Sequence, residues 1–322
     1  MKPHPKPVVV ISKCLGFDKC RYNGQTIPSK AVENLKPFVE YIPVCPEVEI
    51  GLGVPRDPIR IVLDNGEQKL TQPATGANVT LQMNRFVDDF LNKLKQVDGF
   101  ILKNRSPSCG IYDVKQYNGF DKSASSSRGN GFFGQAVLDR YSGYAIEDEG
   151  RLLNFTIREH YLTKLFTFTR FRQVKEAAKM AALVDFHTQH KYLLLAYNQA
   201  AFRRCGRIVA NHEKLKITEV NRLYEEELKL VLKHTPKTGP MINTLQHVFG
   251  YVSKELSGEE KKFFMNAIEE YRDERIPLST VTHLLYSYAL RFNAGYLLDQ
   301  VLFEPYPKDL VAITDSGKGR NY

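Results

Sequence analysis

Three short segments of the chain each carry one cysteine in a turn-forming context, directly after a short apolar run. They are Ser-Lys-Cys-Leu-Gly at 12–16, Cys-Pro-Glu at 45–47 and Lys-Asn-Arg-Ser-Pro-Ser-Cys-Gly at 103–110. If the apolar runs are neighbouring strands, Cys14, Cys45 and Cys109 converge on one point. Three thiolates around one point suit a metal ion or an iron–sulfur cluster that keeps one position open for a substrate.

The cysteine inventory leaves other interpretations open. The chain has five cysteines and no C-x-x-C pair, which in a reducing compartment favours metal binding or catalysis over disulfides. A zinc site would need a fourth ligand, and Cys20 in that role would close the open position. The triplet would otherwise be a set of small buried hydrophobic residues. Cys205 is predicted to end a helix and to have no chemical role.

Polar residues beside the second and third cysteines could perform proton transfer. Glu47 lies two residues after Cys45, and a carboxylate in that position could take a proton from water; otherwise it is a surface or salt-bridged glutamate. Ser106 and Ser108 could hold a substrate carbonyl or relay a proton, although Ser-Pro-Ser is also typical of turns and caps. We favour Ser106 as the catalytic hydroxyl and assign Ser108 to its support.

Three further residues next to the cysteines are predicted to contact or support a substrate. Ser12 precedes the first cysteine by two residues, and Lys103 and Arg105 precede the third. The two cations could hold a phosphate near the site.

The apolar runs define the scaffold of the first half. Val8–Ile11, Tyr41–Val44 and Gly99–Leu102 are predicted strands, and residues 29–41 and 80–95 are predicted helices between them. This alternation is typical of a mostly parallel sheet covered by helices. An added hairpin, with strands at 59–63 and 69–71, is predicted around Asn65-Gly66, because Asn-Gly favours the tight turn of a hairpin.

The second half is predicted to be almost wholly helical. Its first helices are expected over residues 154–168, 173–185 and 187–205. The acidic segment 147–150 marks the boundary. The fold class is therefore an α/β N-terminal domain with a mostly parallel sheet, residues 1–150, followed by an all-α helical domain, residues 151–322.

Composition is that of an ordinary globular protein with an uneven charge. Of 322 residues, 43% are hydrophobic and 25% charged, and the net charge is +9. By residue count, +7 of this charge lies in residues 151–322. No run approaches the ~18 apolar residues of a membrane span. Because the apolar run at residues 8–11 is too short for an export signal, we expect a cytoplasmic protein with no membrane association.

Basic residues of the second half fall at helical spacing. Arg172, Lys175 and Lys179 are predicted to share one helix face, and Arg203 and Arg207 another, with Arg204 beside them. Such stripes can neutralise RNA phosphates, although many are solvated faces. Aromatic residues that could stack bases, or simply form the core, are interleaved: Phe166, Phe168, Phe171, Tyr192 and Tyr197. His187 and His190 are three apart, and we assign no metal to them.

The cysteine segments resemble the thiouracil desulfidase family. The resemblance covers residues 7–150 and includes Tyr22-Asn23-Gly24 and the segment 51–56. It implies a 4Fe–4S cluster on Cys14, Cys45 and Cys109, with Glu47 and Ser106 as catalytic residues, and removal of sulfur from thiolated uracil without redox change. One departure is Glu49-Ile50-Gly51, where the family commonly has another glycine; we expect it to alter the rim of the pocket.

The second half resembles the helical domain often fused to these desulfidases. The matching stretches are 183–199, 243–251, 275–278 and 300–307. Two-domain proteins of this kind are associated with removing sulfur from 4-thiouridine in tRNA.

Together these observations predict a two-domain desulfidase that converts 4-thiouridine in tRNA to uridine and releases sulfide. Its partners are tRNA and the thiolated base, and no obligate protein partner is implied. One alternative is a desulfidase of free thiouracil with a structural helical domain. The other is a non-enzymatic iron–sulfur RNA-binding regulator, which needs no general base.

Overall fold

The computed structural model describes residues 4–119, 126–312, 314 and 315. The strands are β1 (Val8–Ser12), β2 (Glu40–Val44), β3 (Arg60–Asp64), β4 (Glu67–Gln72), β5 (Ala77–Asn78), β6 (Gly99–Leu102), β7 (Val114–Tyr117), β8 (Ser126–Gly129) and β9 (Ala145–Asp148). The helices are α1 (Lys30–Leu35), α2 (Pro46–Glu49), α3 (Thr80–Lys93), α4 (Phe132–Arg140), α5 (Phe155–Ala177), α6 (Met180–Tyr197), α7 (Gln199–Ala210), α8 (Ile217–Val231), α9 (Thr238–Gly250), α10 (Gly258–Arg272), α11 (Leu278–Arg291) and α12 (Gly295–Leu298).

The chain divides into two compact units. Unit 1 is Met1–Phe166 with Asp309–Arg320, and unit 2 contains Thr167–Lys308. The division falls inside α5, whose first turn is capped by Asn154: its side chain accepts the Ile157 amide at 3.0 Å. The domain ranges 1–150, for the α/β desulfidase domain, and 151–322, for the helical domain, remain a prediction.

The central sheet of unit 1 is parallel, with strand order β2-β1-β6-β9. All five residues of β1 and all four of β6 are buried, as expected for strands with helices on both faces. The α/β class predicted for the first half, with a mostly parallel sheet, is confirmed, and so is the helical second half.

A second sheet of unit 1 has strand order β5-β4-β3-β7-β8. Its β3–β4 pair is the predicted hairpin, and Asn65 and Gly66 both adopt positive φ, 50° and 84°, as the tight turn requires. The parallel pairing of β3 with β7 was not predicted. Residues from both sheets and from helices α3 and α4 form one hydrophobic core.

Unit 2 buries its own core, built from α6, α9, α10, α11 and the segment that follows them. The predicted breaks after residues 168 and 185 lie inside α5 and α6, and the predicted helix 187–205 is divided at Asn198 between α6 and α7. Residues 155–177 form one helix, and the next break comes at Ala178, which has φ +50°, and Lys179, which is extended. Within the described ranges, no helix combines the length and the apolar composition that crossing a membrane requires.

Candidate active site

The three cysteine segments follow strands of the parallel sheet at the same edge. Cys14 comes two residues after β1, Cys45 directly follows β2, and Cys109 lies in the loop after β6. Because the carboxyl ends of parallel strands meet at one edge of a sheet, these loops are brought together there, where open α/β sheets bind their ligands. The Lys13 amide donates to the Val44 carbonyl at 2.8 Å and joins the first two loops.

A pocket of about 330 Å³ lies at this edge. It is lined by Cys14, Cys45 and Cys109, and by the other predicted residues of the first half: Ser12, Glu47, Lys103, Arg105, Ser106 and Ser108. Cys20, Arg21, Tyr22 and Arg56 also line it. The structure therefore brings together every site residue that the sequence predicted in unit 1.

The thiols of this pocket are shielded from water. Cys45 and Cys109 are buried and Cys14 is half-buried. Burial raises the pKa of Cys109 to about 12. The pKa of Cys45 is raised mainly by a hydrogen bond with Cys20 and in second place by burial. A hydrogen bond with Cys14 raises the pKa of Cys20 to about 11. In the absence of a cation these groups are thiols, so the thiolate form needs metal charge beside it.

The donor set fits an iron–sulfur cluster. Thiolates are the ligands that such clusters use, and three cysteines, each able to supply one beside a metal, line the same pocket. Among the described residues, no three His, Cys, Asp or Glu side chains are grouped as ligands of a single metal ion. The ligands of an iron–sulfur cluster need not be grouped in this way, because each cysteine binds a different iron and the sulfurs do not surround one atom.

The carboxylate of Glu47 is held by Arg56. Two guanidinium nitrogens of Arg56 donate to Glu47 Oε2, at 2.9 and 2.6 Å, and the side chains of Arg56 and Glu47 are only 4% and 13% exposed. Arg56 also donates to the carbonyls of Cys20 and Gly53, at 3.0 and 2.9 Å. Such charge-assisted bonds fix the orientation of a carboxylate.

Two serines form a hydrogen-bonded chain to the same carboxylate. Ser108 Oγ donates to Glu47 Oε1 at 2.8 Å, and the hydroxyls of Ser106 and Ser108 are 2.9 Å apart. Ser106 Oγ accepts the amides of Ser108 and Cys109, at 3.3 and 3.1 Å, so its proton is directed to Ser108. Ser106 reaches Glu47 only through Ser108, and its direct catalytic role stays a prediction.

The remaining predicted residues of unit 1 have partners. Ser12 Oγ accepts the Lys103 amide at 2.8 Å and so links the ends of β1 and β6. Lys103 Nζ is paired with Glu149 at 2.5 Å, and its phosphate contact remains a prediction. The side chain of Arg105 is 73% exposed, although it lies 3.3 Å from Asp113.

Two glycines hold the third cysteine loop against α4. The Gly131 amide donates to the Gly110 carbonyl at 2.7 Å, and the Gly134 amide donates to the Ser108 carbonyl at 3.0 Å. A Cβ at Gly134 would lie 2.3 Å from the Gly110 oxygen, and one at Gly131 would lie 2.6 Å from the Ser108 oxygen. Only glycine permits this approach.

The basic residues predicted in the second half have different environments. Arg172 pairs with Glu176 at 3.0 Å, Lys175 with Glu225 at 2.8 Å, and Arg204 with Glu227 at 2.8 Å. Because α5 ends at Ala177 and Lys179 adopts extended backbone after it, Arg172, Lys175 and Lys179 do not share one helix face. The expectation of a single three-residue face is therefore wrong. Arg203 and Arg207 are exposed on α7.

Most of the aromatic residues considered for base stacking are in the core. Phe166, Phe168, Phe171 and Tyr192 are all buried, and Tyr197 is half-buried. His187 Nδ1 is 2.9 Å from the Tyr224 hydroxyl, and His190 Nδ1 is 2.8 Å from the Phe186 carbonyl. Cys205 is buried inside α7 and does not end it.

Known proteins match the chain in two separate stretches. The sequence model of the 2-thiouracil desulfurase family matches residues 9–149. Residues 191–307 match DUF1722, which is described as a protein of unknown function.

Individual relatives match about half of the chain. The protein YbbK of Bacillus subtilis (strain 168), described as uncharacterized, is 32% identical over 152 residues, 45% of this chain and 97% of YbbK. The uncharacterized protein YbgA of Escherichia coli (strain K12) is 26% identical over 149 residues, 46% of this chain and 88% of YbgA. The solved structure of TudS, a 4Fe–4S-dependent thiouracil desulfidase, is 30% identical and covers 46% of this chain and 93% of TudS, with a TM-score of 0.36.

The N-terminal half thus has the sequence and the cysteine-lined pocket of a desulfidase. The chain belongs to the 2-thiouracil desulfurase family. The resemblance drawn from its cysteine segments, and the two-domain layout with a second family in the helical half, are confirmed.

Proposed function

We propose that the chain converts 4-thiouridine in tRNA to uridine by non-redox desulfuration on a 4Fe–4S cluster. The observation that carries this proposal is the convergence of Cys14, Cys45, Cys109 and Glu47 on one pocket. TudS is a 4Fe–4S-dependent enzyme, and we extend that dependence to the three cysteines of this chain. Cys14, Cys45 and Cys109 would hold the cluster, which would supply Lewis-acid chemistry toward the thiocarbonyl sulfur.

Two side chains of the protein orient the carboxylate that takes a proton from water. Arg56 fixes Glu47 Oε2, and Ser108 donates to Oε1, so the carboxylate has one defined position beside the cysteines. Glu47 takes a proton from water as the oxygen adds to the carbon of the thiocarbonyl group. Glu47 returns its proton to the sulfur, and the carbon–sulfur bond breaks. The added hydroxyl group gives up its remaining proton to the leaving sulfur, so the water oxygen becomes the new carbonyl oxygen and sulfur leaves as hydrogen sulfide. No electron is transferred in this hydrolysis.

The choice of tRNA as substrate rests on the helical half. Residues 151–322 carry +7 of the net charge, and Arg203 and Arg207 are exposed without an ion pair to another described residue. Such cations suit RNA phosphates. The thiolated base would leave its stack to enter the pocket, as in other chemistry directed at a base. A cytoplasmic location belongs to this proposal, since tRNA is found there.

Free thiouracil is the second candidate substrate. The observation that favours it is the pairing of Arg172, Lys175 and Arg204 with carboxylates, which weakens half of the predicted RNA contacts. A non-enzymatic iron–sulfur regulator would share the cluster but would not depend on Glu47.

The chemistry is tested on protein purified without oxygen. We expect about four irons and four sulfides per chain, release of sulfide from tRNA containing 4-thiouridine, and uridine in its place by mass spectrometry. Single alanine variants of Cys14, Cys45 and Cys109 should each lose the cluster and the activity, whereas Cys205→Ala should keep both. If all three single variants keep a full cluster and activity, the ligand assignment is wrong.

The RNA contact is tested by salt dependence. Replacing Arg203 and Arg207 by alanine should lower the slope of log affinity for tRNA against log salt by about two units, one for each phosphate contact. The matched control replaces Arg272 and Arg275, two exposed arginines of the same unit that pair with carboxylates. Equal slopes in both double variants would move the RNA surface away from α7. Activity on tRNA no higher than on the free base would favour free thiouracil.

A further inference from the structure

Unit 2 contains a cluster of three tyrosines at its surface, which we call the tyrosine cluster: Tyr192, Tyr251 and Tyr296. They come from α6, from the end of α9 and from α12. The ring centroids of Tyr251 and Tyr296 are 5.5 Å apart, and that of Tyr192 lies 6.2 and 6.3 Å from them. The Tyr192 ring meets the other two edge to face, with interplanar angles of 81° and 74°.

A buried glutamine, Gln300, holds the backbone at two of these tyrosines. Gln300 is 3% exposed, and its amide nitrogen donates to the carbonyls of Thr188 and Tyr296, at 3.0 and 3.4 Å. Its amide oxygen accepts the Tyr192 amide at 3.5 Å. One buried side chain thus ties the backbone of α6 to that of α12, the two helices that carry Tyr192 and Tyr296. A surface built on fixed backbone loses less conformational freedom when a ligand binds.

The exposure of the cluster differs from ring to ring. Tyr192 is buried at 2% exposure and belongs to the core, whereas Tyr251 is 53% and Tyr296 37% exposed. The Lys191 ammonium lies over the rings of Tyr192 and Tyr296, at 5.3 and 6.0 Å. Tyr251 is the more exposed of the two exposed rings, and it packs against Tyr296, one of the rings over which the Lys191 ammonium lies.

An exposed aromatic ring in a cluster that also holds a lysine ammonium matches the chemistry of a nucleotide. A base has a π-face for the ring, and its adjoining phosphate carries the charge that a lysine neutralises. The second half of the chain, residues 151–322, contains the cluster and has a net charge of +7, which favours an anionic partner.

We propose that the tyrosine cluster binds an unpaired base of RNA, with the base stacked on Tyr251 and the adjoining phosphate on Lys191. The proposal rests on the proposed tRNA function and assigns an RNA contact inside the stretch matched by DUF1722, residues 191–307. It lies on other elements than the arginines of α7. The contribution of the tyrosine cluster to RNA affinity depends on the bases, whereas that of Arg203 and Arg207 depends on phosphates alone.

The test uses the full chain and two single-stranded RNA probes of equal length, one of which carries abasic sites in place of bases. Both probes present the same phosphates, so fluorescence anisotropy separates stacking from charge. Stacking on one aromatic ring corresponds to a loss of about 5- to 150-fold when it is removed. We therefore expect the wild-type chain to prefer the base-bearing probe by a factor in that range.

Tyr251→Leu keeps apolar bulk and should abolish this preference without changing the salt slope. Tyr251→Phe keeps the ring and should retain the preference, and Lys191→Met should lower the salt slope by about one unit for both probes. Phe263→Leu is the matched control, because Phe263 is a 63% exposed aromatic residue of the same unit outside the cluster. Thermal melting of each variant checks its folding.

Each outcome decides between the proposals. A wild-type chain that binds both probes equally, or a Tyr251→Leu variant that keeps the preference, overturns the tyrosine cluster as a base-binding surface and leaves the tRNA activity standing. If Phe263→Leu loses the preference as fully as Tyr251→Leu, the cluster is also overturned as the specific surface. A wild-type chain that binds neither probe overturns the cluster; the separate assay for uridine formation in tRNA then decides the proposed function.

Discussion

We predict that breaking the buried ion pair between Arg56 and Glu47 strongly lowers the free energy of unfolding of unit 1. Arg56→Met removes both bonds to the Glu47 carboxylate and the bonds to the carbonyls of Cys20 and Gly53. With Glu47 only 13% exposed, its charge cannot be rehydrated freely. Removing one partner of a buried pair costs about 3–5 kcal/mol.

This cost translates into a measurable shift of Tm. At about 2–4 °C per kcal/mol for a unit of this size, the transition of unit 1 should fall by about 6–20 °C in calorimetry of the full chain. Arg128→Met is the control, because the pair of Arg128 with Asp113 is exposed, with a separation of 3.4 Å, and such pairs contribute about 0–1 kcal/mol.

A double-variant cycle identifies the cause. In the Glu47→Gln background no buried charge is left unpaired, so Arg56→Met should cost clearly less than in the wild-type background. Equal shifts for Arg56→Met and Arg128→Met, or an unchanged cost in the Glu47→Gln background, would refute the argument that Arg56 compensates the buried carboxylate.

Three further predictions concern the site and the helical unit. Glu47→Gln should keep the iron and sulfide content but lower turnover by about 10²–10⁴-fold, and turnover within a few-fold of wild type would exclude Glu47 as the base. Gly134→Ala should lower the iron content, because its Cβ would lie 2.3 Å from the Gly110 oxygen, whereas Gly239→Ala meets nothing within 4 Å and should not; equal iron contents would contradict this. Burial lowers the pKa of His187 from 6.5 to about 4, so below pH 6.5 the unfolded chain binds more protons and stability should fall as the pH drops toward 4. His187→Gln should flatten this part of the Tm-against-pH curve, and an unchanged curve would show that His187 titrates normally.

The sequence was sufficient for the scaffold of the site because its signals are local. Apolar runs define β1, β2 and β6, and parallel pairing then requires their carboxyl ends, with the cysteines that follow, to share an edge. Asn65-Gly66 marked its hairpin for an equally local reason.

The contacts that complete the site depend on distant parts of the chain. Nothing in the residues around Arg56 indicates that it pairs with Glu47, although the segment 51–56 contributes to the family resemblance. The break after α5 was missed because Ala178 adopts φ +50°, a conformation that alanine rarely takes. The ion pair of Lys175 with Glu225 depends on how α5 and α8 pack, which helical periodicity does not specify.

The two glycines behind the third cysteine have a consequence for how this chain can evolve. Every other amino acid carries a Cβ, and at Gly131 and Gly134 that single carbon meets backbone oxygens, which cannot swing aside as a side chain does. Any single replacement of Gly131 or Gly134 therefore forces the loop to shift. In contrast, a Cβ added at Gly239 or Gly250 would meet nothing within 4 Å. Gly131 and Gly134 lie outside the lining of the pocket, yet both positions are closed to replacement, so the support of the third cysteine tolerates less change in sequence than an exposed residue of the pocket such as Arg105.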